Sequence, residues 1–243
     1  MNHPILLSGH QPEFWPWMGF FHKIYIADKF AIVDHINFQK KNYQDRIRIR
    51  TNHDGLFKWI HVPIQKTGDI RFTPINEIMI DNQINWKEEQ LLLLKNSYQK
   101  APYFNEVFKF INEIYDATYL KLADLNITII KKLCEKMDIQ KQIFLTSEHN
   151  IHGQKTELLV NMCKIFNCAG YISGETAKVY FDPLLFKNNK LIHKFRITPR
   201  FEYDSFWKPF LPGMSILDCL FSTGFCKTED IIKKTDYVLE KSQ

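Results

Sequence analysis

Histidines, a lysine, a glutamine and tryptophans crowd into one short stretch near the amino terminus, where residues 7–23 have the sequence LSGHQPEFWPWMGFFHK. Histidine exchanges protons near neutral pH, so it suits general acid or base chemistry. Lysine and glutamine bind anions and hydroxyl groups, and tryptophan rings stack on nucleobases or sugar faces. This combination predicts a binding or catalytic site for a polar small molecule. The side chains concerned are His10, Gln11, Trp15, Trp17, His22 and Lys23.

The pattern around this stretch predicts a strand, a glycine turn and the start of a helix. An apolar run at 5–7 indicates a buried strand, residues 8–12 break it, and aromatic, helix-compatible residues follow from Trp17. Open α/β sheets bind ligands at the carboxyl ends of their strands, beside helix amino termini that favour anions. A purely structural turn is the alternative interpretation, because the same residues also form ordinary connections.

A second predicted strand ends at the same edge of the sheet. Residues 30–33 are apolar and follow a helical pattern at 19–27, which predicts a βαβ unit. Asp34 ends this strand, and a polar loop, DHINFQKK, occupies 34–41. Because parallel strands of one unit end at the same edge, we expect this loop to lie near His10. The loop contributes Asp34 as a candidate catalytic group beside His10 and His22, and Asn37 and Lys40 as candidate binding groups.

Arginines alternate with isoleucines in the sequence RIRIR at 46–50. This period of two places three guanidiniums on one face of a strand and two isoleucines on the other. In one interpretation Arg46 and Arg48 bind phosphate or carboxylate, because arginine holds such groups through two hydrogen bonds. In the other, the face is a solvated edge that discourages aggregation. A strand at 59–64 follows across a turn at 52–55, so the pair predicts a β-hairpin.

The rest of the chain predicts helices first and then a return to alternating strands and helices. A further strand is predicted at 75–80, and apolar residues at helical spacing over 86–137 predict a helical insertion or subdomain. Strands at 142–145 and 171–174 complete an α/β pattern with a mostly parallel sheet. The glycine that ends the last of these strands lets the backbone come close to a ligand. In the alternative interpretation the glycine belongs to an ordinary connection between a strand and a helix, which needs no ligand. The candidate binding residues there are Ser173, Gly174 and Lys178.

Composition limits the class of protein. With 243 residues, of which 45% are hydrophobic and 24% charged, the chain can bury a substantial core, and we expect a single domain over 1–243. The net charge of +5 and pI of about 8.8 are mildly basic, which suits an anionic small molecule such as a nucleotide. The dense lysine and arginine blocks of a dedicated nucleic-acid binder do not occur.

Cysteine and histidine spacing set expectations about compartment and metals. The five cysteines are odd in number and lack CxxC spacing, and no secretory leader precedes the first strand, so we expect the reducing cytoplasm. No apolar run approaches the ~20 residues of a membrane span. The histidines lack the close spacings of common metal sites, so no metal is predicted.

Four sequence blocks together resemble the WbqC-like protein family of bacteria, which is found in gene neighbourhoods for surface polysaccharides. They are the opening GHQPEFWPWMGFFHK, the block DHINFQKKNYQDRIRI, the element KAPYF, and the ending YISGETAK followed by SILDCLFSTG. The blocks are collinear over nearly the whole chain. The chain departs from the family pattern at His10, where Ser or Asn is usual, and at Asn37, which takes the place of a glutamine.

The opening is also similar to that of the bacillithiol-forming cysteine ligases, which join an amino acid to an amino sugar. Those enzymes are built on a nucleotidyltransferase-like Rossmann core, so the similarity implies a Rossmann-like α/β fold here. In nucleotidyltransferases the loop after the first strand carries HxGH, whose histidines hold nucleotide phosphates. Residues 17–20, WMGF, keep only the glycine of that motif, so adenylyl transfer through it is not expected.

These resemblances lead to an enzyme hypothesis. The protein would N-acylate a nucleotide-linked amino sugar in O-antigen or capsule biosynthesis, with an aminoacyl group such as glycyl. His10 is the candidate base for the amine. Phosphate groups would bind the cationic side chains, and the nucleobase or sugar would stack on the indoles. The phosphate-binding candidates are Lys23, Arg46 and Arg48, and the stacking candidates are Trp15 and Trp17.

Two other classes of function remain as alternatives. A non-catalytic sugar-nucleotide-binding module or scaffold of the same pathway fits the loss of HxGH. A nucleic-acid role ranks third, because only RIRIR and its aromatic neighbours support it. The residues leave open whether ATP is consumed and whether the chain forms a homo-oligomer.

Overall fold

A computed structural model describes residues 3–51, 57–65, 68 and 70–242. Strands and helices alternate along this part of the chain. The strands are β1 Leu6–His10, β2 Lys29–Ile32, β3 Arg46–Arg50, β4 Phe57–His61, β5 Gln142–Leu145, β6 Gly170–Gly174, β7 Ile192–Ile197 and β8 Val238–Lys241. The helices are α1 Met18–Ile26, α2 Trp86–Tyr98, α3 Phe104–Tyr115, α4 Leu122–Lys136, α5 Lys155–Ile165, α6 Pro183–Asn188 and α7 Ile216–Lys234.

The central sheet has six strands in the order β5-β2-β1-β6-β7-β8. The first five are parallel, and β8 runs antiparallel to β7 at the edge. The chain starts in the middle of the sheet, builds outward through β2 and β5, and then crosses back to place β6 on the other side of β1. This order confirms the predicted Rossmann-like, mostly parallel α/β fold, and the strand order reverses between β1 and β6.

Successive apolar residues along each strand point to opposite faces of the sheet and form two cores. Leu7 and Ala31 belong to the core on the α5 side, whereas Phe30 and Ile32 belong to the core on the α1 side. Helix α1 places Phe21 and other apolar residues in the latter core and packs against α7. Burial of each Phe, Ile or Leu side chain contributes ~1.5–3 kcal/mol, so both faces hold the sheet in place.

Helices α2, α3 and α4 occupy most of the segment for which the sequence predicts helix, and they lie between β2 and β5 in the chain. Their apolar stripes join the core on the α1 side, with Leu94, Ile111 and Ile129 fully buried. Helix α3 also packs against α7. The helical insertion is therefore confirmed as part of the fold, while one domain over 1–243 stays a prediction.

Strands β3 and β4 pair antiparallel, so the hairpin is confirmed, with Arg48 opposite Trp59. The predicted turn at 52–55 lies outside the described residues. The predicted strand at 75–80 is wrong, because Ile75–Glu77 forms a short 3-10 helix, and Met79 and Ile80 form isolated β-bridges rather than a strand. Pro74 precedes this turn with its φ fixed near −56°, and lacks the N–H that a strand ladder uses.

Candidate functional site

Two adjoining cavities open where the carboxyl ends of β1 and β6 meet. The larger, of about 640 Å³, is lined by both strand ends and by residues of α1 and α5. The smaller, of about 440 Å³, lies between the loop that follows β1, strand β3 and residues 213–215. The cavities adjoin each other, since four residues line both of them. These are His10, Trp17, Asn42 and Thr176.

The loop between β1 and α1, residues 11–17, is held by two neighbouring segments. Its Phe14 N–H donates to the Tyr43 carbonyl at 2.9 Å. Ser215, which caps α7, donates its hydroxyl to the Trp15 carbonyl at 2.8 Å and accepts from the Leu217 N–H. The loop that separates the two cavities is therefore fixed from both sides.

His10 is the last residue of β1 and lies at the junction of the cavities. Its side chain is 37% exposed. Nδ1 lies 3.0 Å from the Gln11 carbonyl, which can only accept, so Nδ1 carries the proton and Nε2 keeps its lone pair. Burial and the positive charge of Lys23 lower the pKa of His10 below its ordinary value. The imidazole is therefore neutral at neutral pH.

Lys23 and Glu13 are buried titratable groups beside His10. The Lys23 ammonium donates to the Gly9 carbonyl at 2.7 Å, and burial with the nearby Arg196 charge lowers the pKa of Lys23 to about 7. Glu13 is 5% exposed, and burial raises the pKa of its carboxyl to about 8. Its Oε1 lies 3.8 Å from Nδ1 of His10, and its Oε2 has no partner among the described residues. Glu13 lines the smaller cavity and Lys23 the larger.

Glu13 and Arg196 are site residues that the sequence did not indicate. Arg196 lies at the end of β7, is 3% exposed and lines the larger cavity. Its Nη1 donates to the Gly19 carbonyl and to Nδ1 of His22, both at 3.0 Å. The only sequence clues were a charged residue beside a phenylalanine, for Arg196, and an acidic residue inside an aromatic run, for Glu13. Such clues are too common to single out a site.

His22, predicted as catalytic, is fully buried and lines neither cavity. It accepts a hydrogen bond from Arg196, and burial together with that charge lowers the pKa of His22 to about 4. Its ring contacts Phe201 and Tyr237 edge-on. His22 therefore contacts an arginine that lines the larger cavity, but it does not line either cavity itself.

The two tryptophans predicted to stack on a ligand differ in their surroundings. Trp17 lines both cavities and packs on Gly19, where a Cβ atom would lie only 2.2 Å from the indole. Trp15 is fully buried, and its indole N–H donates to the Tyr115 hydroxyl at 3.1 Å. The Trp15 ring therefore has no exposed face for a ligand, whereas Trp17 lies at the junction.

Asp34, predicted as catalytic, is buried away from both cavities. Its carboxylate accepts from the Thr146 hydroxyl at 3.0 Å, and from the N–H and hydroxyl of Ser147 at 2.8 and 2.6 Å. These bonds tie the end of β2 to the end of β5. The described structure therefore places Asp34 in a loop anchor.

The polar loop after β2 reaches the site only in part. Gln11 lines the larger cavity and donates to the Asn37 carbonyl at 3.2 Å. The side chains of Asn37 and Lys40 are exposed, and neither residue lines the two cavities. Of the candidates in this group, Gln11 is the one that the fold brings to the site.

The arginines of β3 have three different environments. Arg48 lines the smaller cavity and donates to the Gly213 carbonyl at 2.5 Å. Arg46 lies over the Trp59 ring at 4.4 Å, donates to backbone carbonyls, and lines neither cavity. Arg50 is buried and donates to the Pro209 carbonyl at 2.7 Å. One of the three guanidiniums, that of Arg48, is thus available at a cavity wall.

The loop after β6 borders the larger cavity through Ser173 and Gly174. The Ser173 hydroxyl pairs with Nε2 of His193 at 2.9 Å, and a Cβ at Gly174 would meet nothing within 4 Å. Lys178 is exposed, pairs with Glu240 at 2.8 Å, and lines neither cavity. The first two of these candidates therefore lie at the site.

Residues 3–51, 57–65, 68 and 70–242 contain neither a metal-binding cluster nor a membrane-spanning helix. No group of three or more His, Cys, Asp or Glu side chains there could hold a metal ion. No helix in those ranges is long and apolar enough to cross a membrane. All five cysteines are free, and Cys226 is the exposed one.

A mostly parallel sheet with cavities at its strand-order reversal defines a Rossmann-like α/β protein whose candidate binding site lies at that edge. The chain belongs to the WbqC-like protein family, whose model matches residues 11–230. It is 31% identical over 221 residues to the uncharacterized protein Rv1507c of Mycobacterium tuberculosis, which covers 88% of this chain and 92% of the relative. No solved structure matches the chain.

Proposed function

We propose that this protein is a cytoplasmic enzyme of bacterial surface-polysaccharide biosynthesis that transfers an aminoacyl group, such as glycyl, to the amine of a nucleotide-linked amino sugar. Membership of the WbqC-like family supports the pathway, and five free cysteines fit a reducing compartment. The observation that carries the proposal is the pair of adjoining cavities that share His10 in their walls. A transferase of this kind needs two adjoining substrate sites and a base between them.

The larger cavity suits the nucleotide diphosphate. It lies at the reversal of strand order, where Rossmann-like sheets bind nucleotides, and two buried cations, Lys23 and Arg196, line it. The Trp17 ring at the junction offers a stacking face for the sugar or base. Gly174 at the cavity wall permits close approach of the ligand to the backbone, since a Cβ atom there would meet nothing within 4 Å.

The chemistry at the junction follows from His10. The amine nitrogen attacks the acyl carbon of a donor activated as an ester, a thioester or an acyl phosphate, and the bond from that carbon to the leaving group breaks. The proton lost from nitrogen passes to Nε2 of His10, whose lone pair is free because Nδ1 bonds to Gln11. The negative charge of a bound diphosphate would raise the pKa of His10 and make it a better base.

Native mass spectrometry of the purified protein with a panel of nucleotide-linked amino sugars tests the proposal. Each sugar nucleotide is offered alone and with amino acids, with and without ATP. If the protein retains a sugar nucleotide, and that sugar nucleotide then gains the mass of an aminoacyl group, the result supports the transferase. Retention without conversion under every donor favours the non-catalytic binding module of the same pathway. Absence of retention contradicts both.

A further inference from the structure

The smaller cavity carries a carboxyl group and a guanidinium group with buried polar atoms that lack partners in the described structure. Glu13 is 5% exposed and lines this cavity, and its Oε2 is buried without a hydrogen-bond partner among the described residues. Arg48 lines the same cavity, and its Nε is likewise buried and unpartnered in the described structure. Burial of a carboxyl oxygen without a hydrogen-bond partner is costly. Such an oxygen indicates that a ligand supplies the missing hydrogen-bond donor.

Glu13 and Arg48 both lie in the described part of the chain and form no ion pair with each other, so the two side chains are held apart. Glu13 lies at the His10 end of the cavity. Arg48 is held against the segment that follows Pro212, where it donates to the Gly213 carbonyl at 2.5 Å. Gly213 has a φ of 69°, and a Cβ there would lie 2.5 Å from the guanidinium, so glycine keeps room for this arrangement.

The cavity walls between the Glu13 and Arg48 side chains are mostly aromatic or apolar. Phe14, Trp17, Tyr43 and Ile47 line the cavity, and at about 440 Å³ it holds a small molecule. Apolar walls strengthen the charge interactions of a bound ligand by excluding water. A ligand that carries both an ammonium group and a carboxyl group, and that has a small or apolar side chain, matches this combination.

We propose that the smaller cavity is an amino-acid site, in which Glu13 binds the ammonium group and Arg48 binds the carboxyl group. The inference rests on the proposed function, for which it identifies the donor as a small α-amino acid or its carboxyl-activated form. The amino acid's carbon skeleton packs against the aromatic wall, on the opposite side of His10 from the nucleotide. The site thereby holds the amino acid in the cavity that adjoins the proposed acceptor site.

Binding of glycine to the free protein tests this site without any need for turnover. The indole N–H resonance of Trp17 in 15N-labelled protein is followed by NMR, because Trp17 lines the smaller cavity. Methylamine and acetate serve as half-ligands that carry only the ammonium or only the carboxylate. We expect a saturable shift with glycine and an apparent Kd at least about tenfold weaker for each half-ligand, since each lacks one charge-assisted hydrogen bond.

Two variants separate the two ends of the site. In Glu13→Gln we expect glycine to bind about tenfold or more weakly while acetate is unaffected. In Arg48→Met, glycine and acetate weaken together while methylamine is unaffected. Glu106→Gln, an exposed change on α3, is the matched control and leaves all three ligands unchanged. Absence of a saturable glycine shift, or variants that leave glycine binding intact, overturns the proposal.

The sugar-nucleotide experiment distinguishes failure of this inference from failure of the proposed function. Glycine binding without retention of any sugar nucleotide keeps the amino-acid site and contradicts the proposed acceptor. Retention of a sugar nucleotide without a glycine shift keeps the nucleotide site and overturns the amino-acid site.

Discussion

Nη1 of Arg196 donates a hydrogen bond to Nδ1 of His22 across 3.0 Å, although the two residues are 174 positions apart. Arg196 lines the larger cavity and His22 lies behind it, fully buried. A histidine from the opening stretch thus contacts the cavity through an arginine of β7. The contact assigns His22 a positioning role for the guanidinium that faces the bound phosphate in our proposal.

Arg196→Met is expected to weaken sugar-nucleotide binding by about 10- to 100-fold, because a charge-assisted hydrogen bond contributes ~1.5–3 kcal/mol. His22→Asn should weaken it less, since Arg196 keeps its bond to the Gly19 carbonyl at 3.0 Å. Titration calorimetry with the retained sugar nucleotide measures both. If His22→Asn abolishes turnover while binding stays normal, His22 acts in the reaction itself and the positioning role is wrong.

Replacement of the candidate base tests its assignment. His10→Ala should lower kcat by ~10²–10⁴-fold, because proton transfer from the amine loses its acceptor. Sugar-nucleotide affinity should change little, since the cations of the larger cavity remain. Circular dichroism confirms that the variant is folded, and Lys40→Ala, an exposed change outside both cavities, is the control. Retained turnover in folded His10→Ala would remove the assignment.

The affinity for a sugar nucleotide should fall as pH rises above about 7. The pKa of Lys23 is lowered to about 7, so this ammonium, which attracts phosphate, deprotonates there. The charged or titratable groups that face Lys23 are Arg196, Glu13 and His10. Glu13 acts in the same direction, because its carboxyl becomes negative near pH 8 and repels an anion. A diphosphate esterified at both ends keeps its charge over this range.

Calorimetry between pH 6 and pH 9 measures this dependence, and two variants separate its causes. Lys23→Met should bind more weakly and lose the fall in affinity near pH 7, whereas Glu13→Gln should keep that fall and lose the one near pH 8. An affinity that is independent of pH in wild-type protein would show that neither group faces the bound phosphate.

Glu13→Gln should also stabilise the free protein at alkaline pH. The folded pKa of Glu13, about 8, is above its unfolded value, so the native state binds this proton more tightly. Stability from this group is present at low pH and is lost as pH rises from about 4.5 through 8. Above pH 8 we expect the variant to be more stable by roughly 2–4 kcal/mol, and near pH 4 the two should match. Urea unfolding at both pH values measures the difference, and equal curves at alkaline pH contradict it.

The two tryptophans should separate ligand binding from stability. Trp15→Ala removes a fully buried indole that bonds to Tyr115, and should lower the free energy of unfolding by ~3–5 kcal/mol. Trp17→Ala, at the junction of the cavities, should cost less stability and weaken sugar-nucleotide binding. Urea unfolding and calorimetry on the matched pair test this. Normal binding in Trp17→Ala would show that its ring does not stack on the ligand.

Local patterns account for the parts of the fold that were predicted correctly. The apolar run before His10, the alternation in RIRIR and the helical spacing over 86–137 each reflect burial of one face of one element, which is encoded over a few residues. The prediction of a strand at 75–80 is wrong, because the isoleucines of this segment are equally buried in a short turn. For the same reason, a polar residue after a strand does not reveal whether it faces a ligand or a loop, as Asp34 illustrates.

The sequence by itself determined the opening βαβ unit, the arginine-rich hairpin, the helical segment and a mostly parallel sheet, because periodicity and chain connectivity specify these. It did not indicate β7 or β8. Only the tertiary structure decided which side chains reach the edge of the sheet where β1 and β6 end. It brought Glu13 and Arg196 to the cavities and placed Trp15 and His22 in buried surroundings. The physical reason is that the exposure of a side chain in a loop or on a helix depends on packing partners distant in sequence.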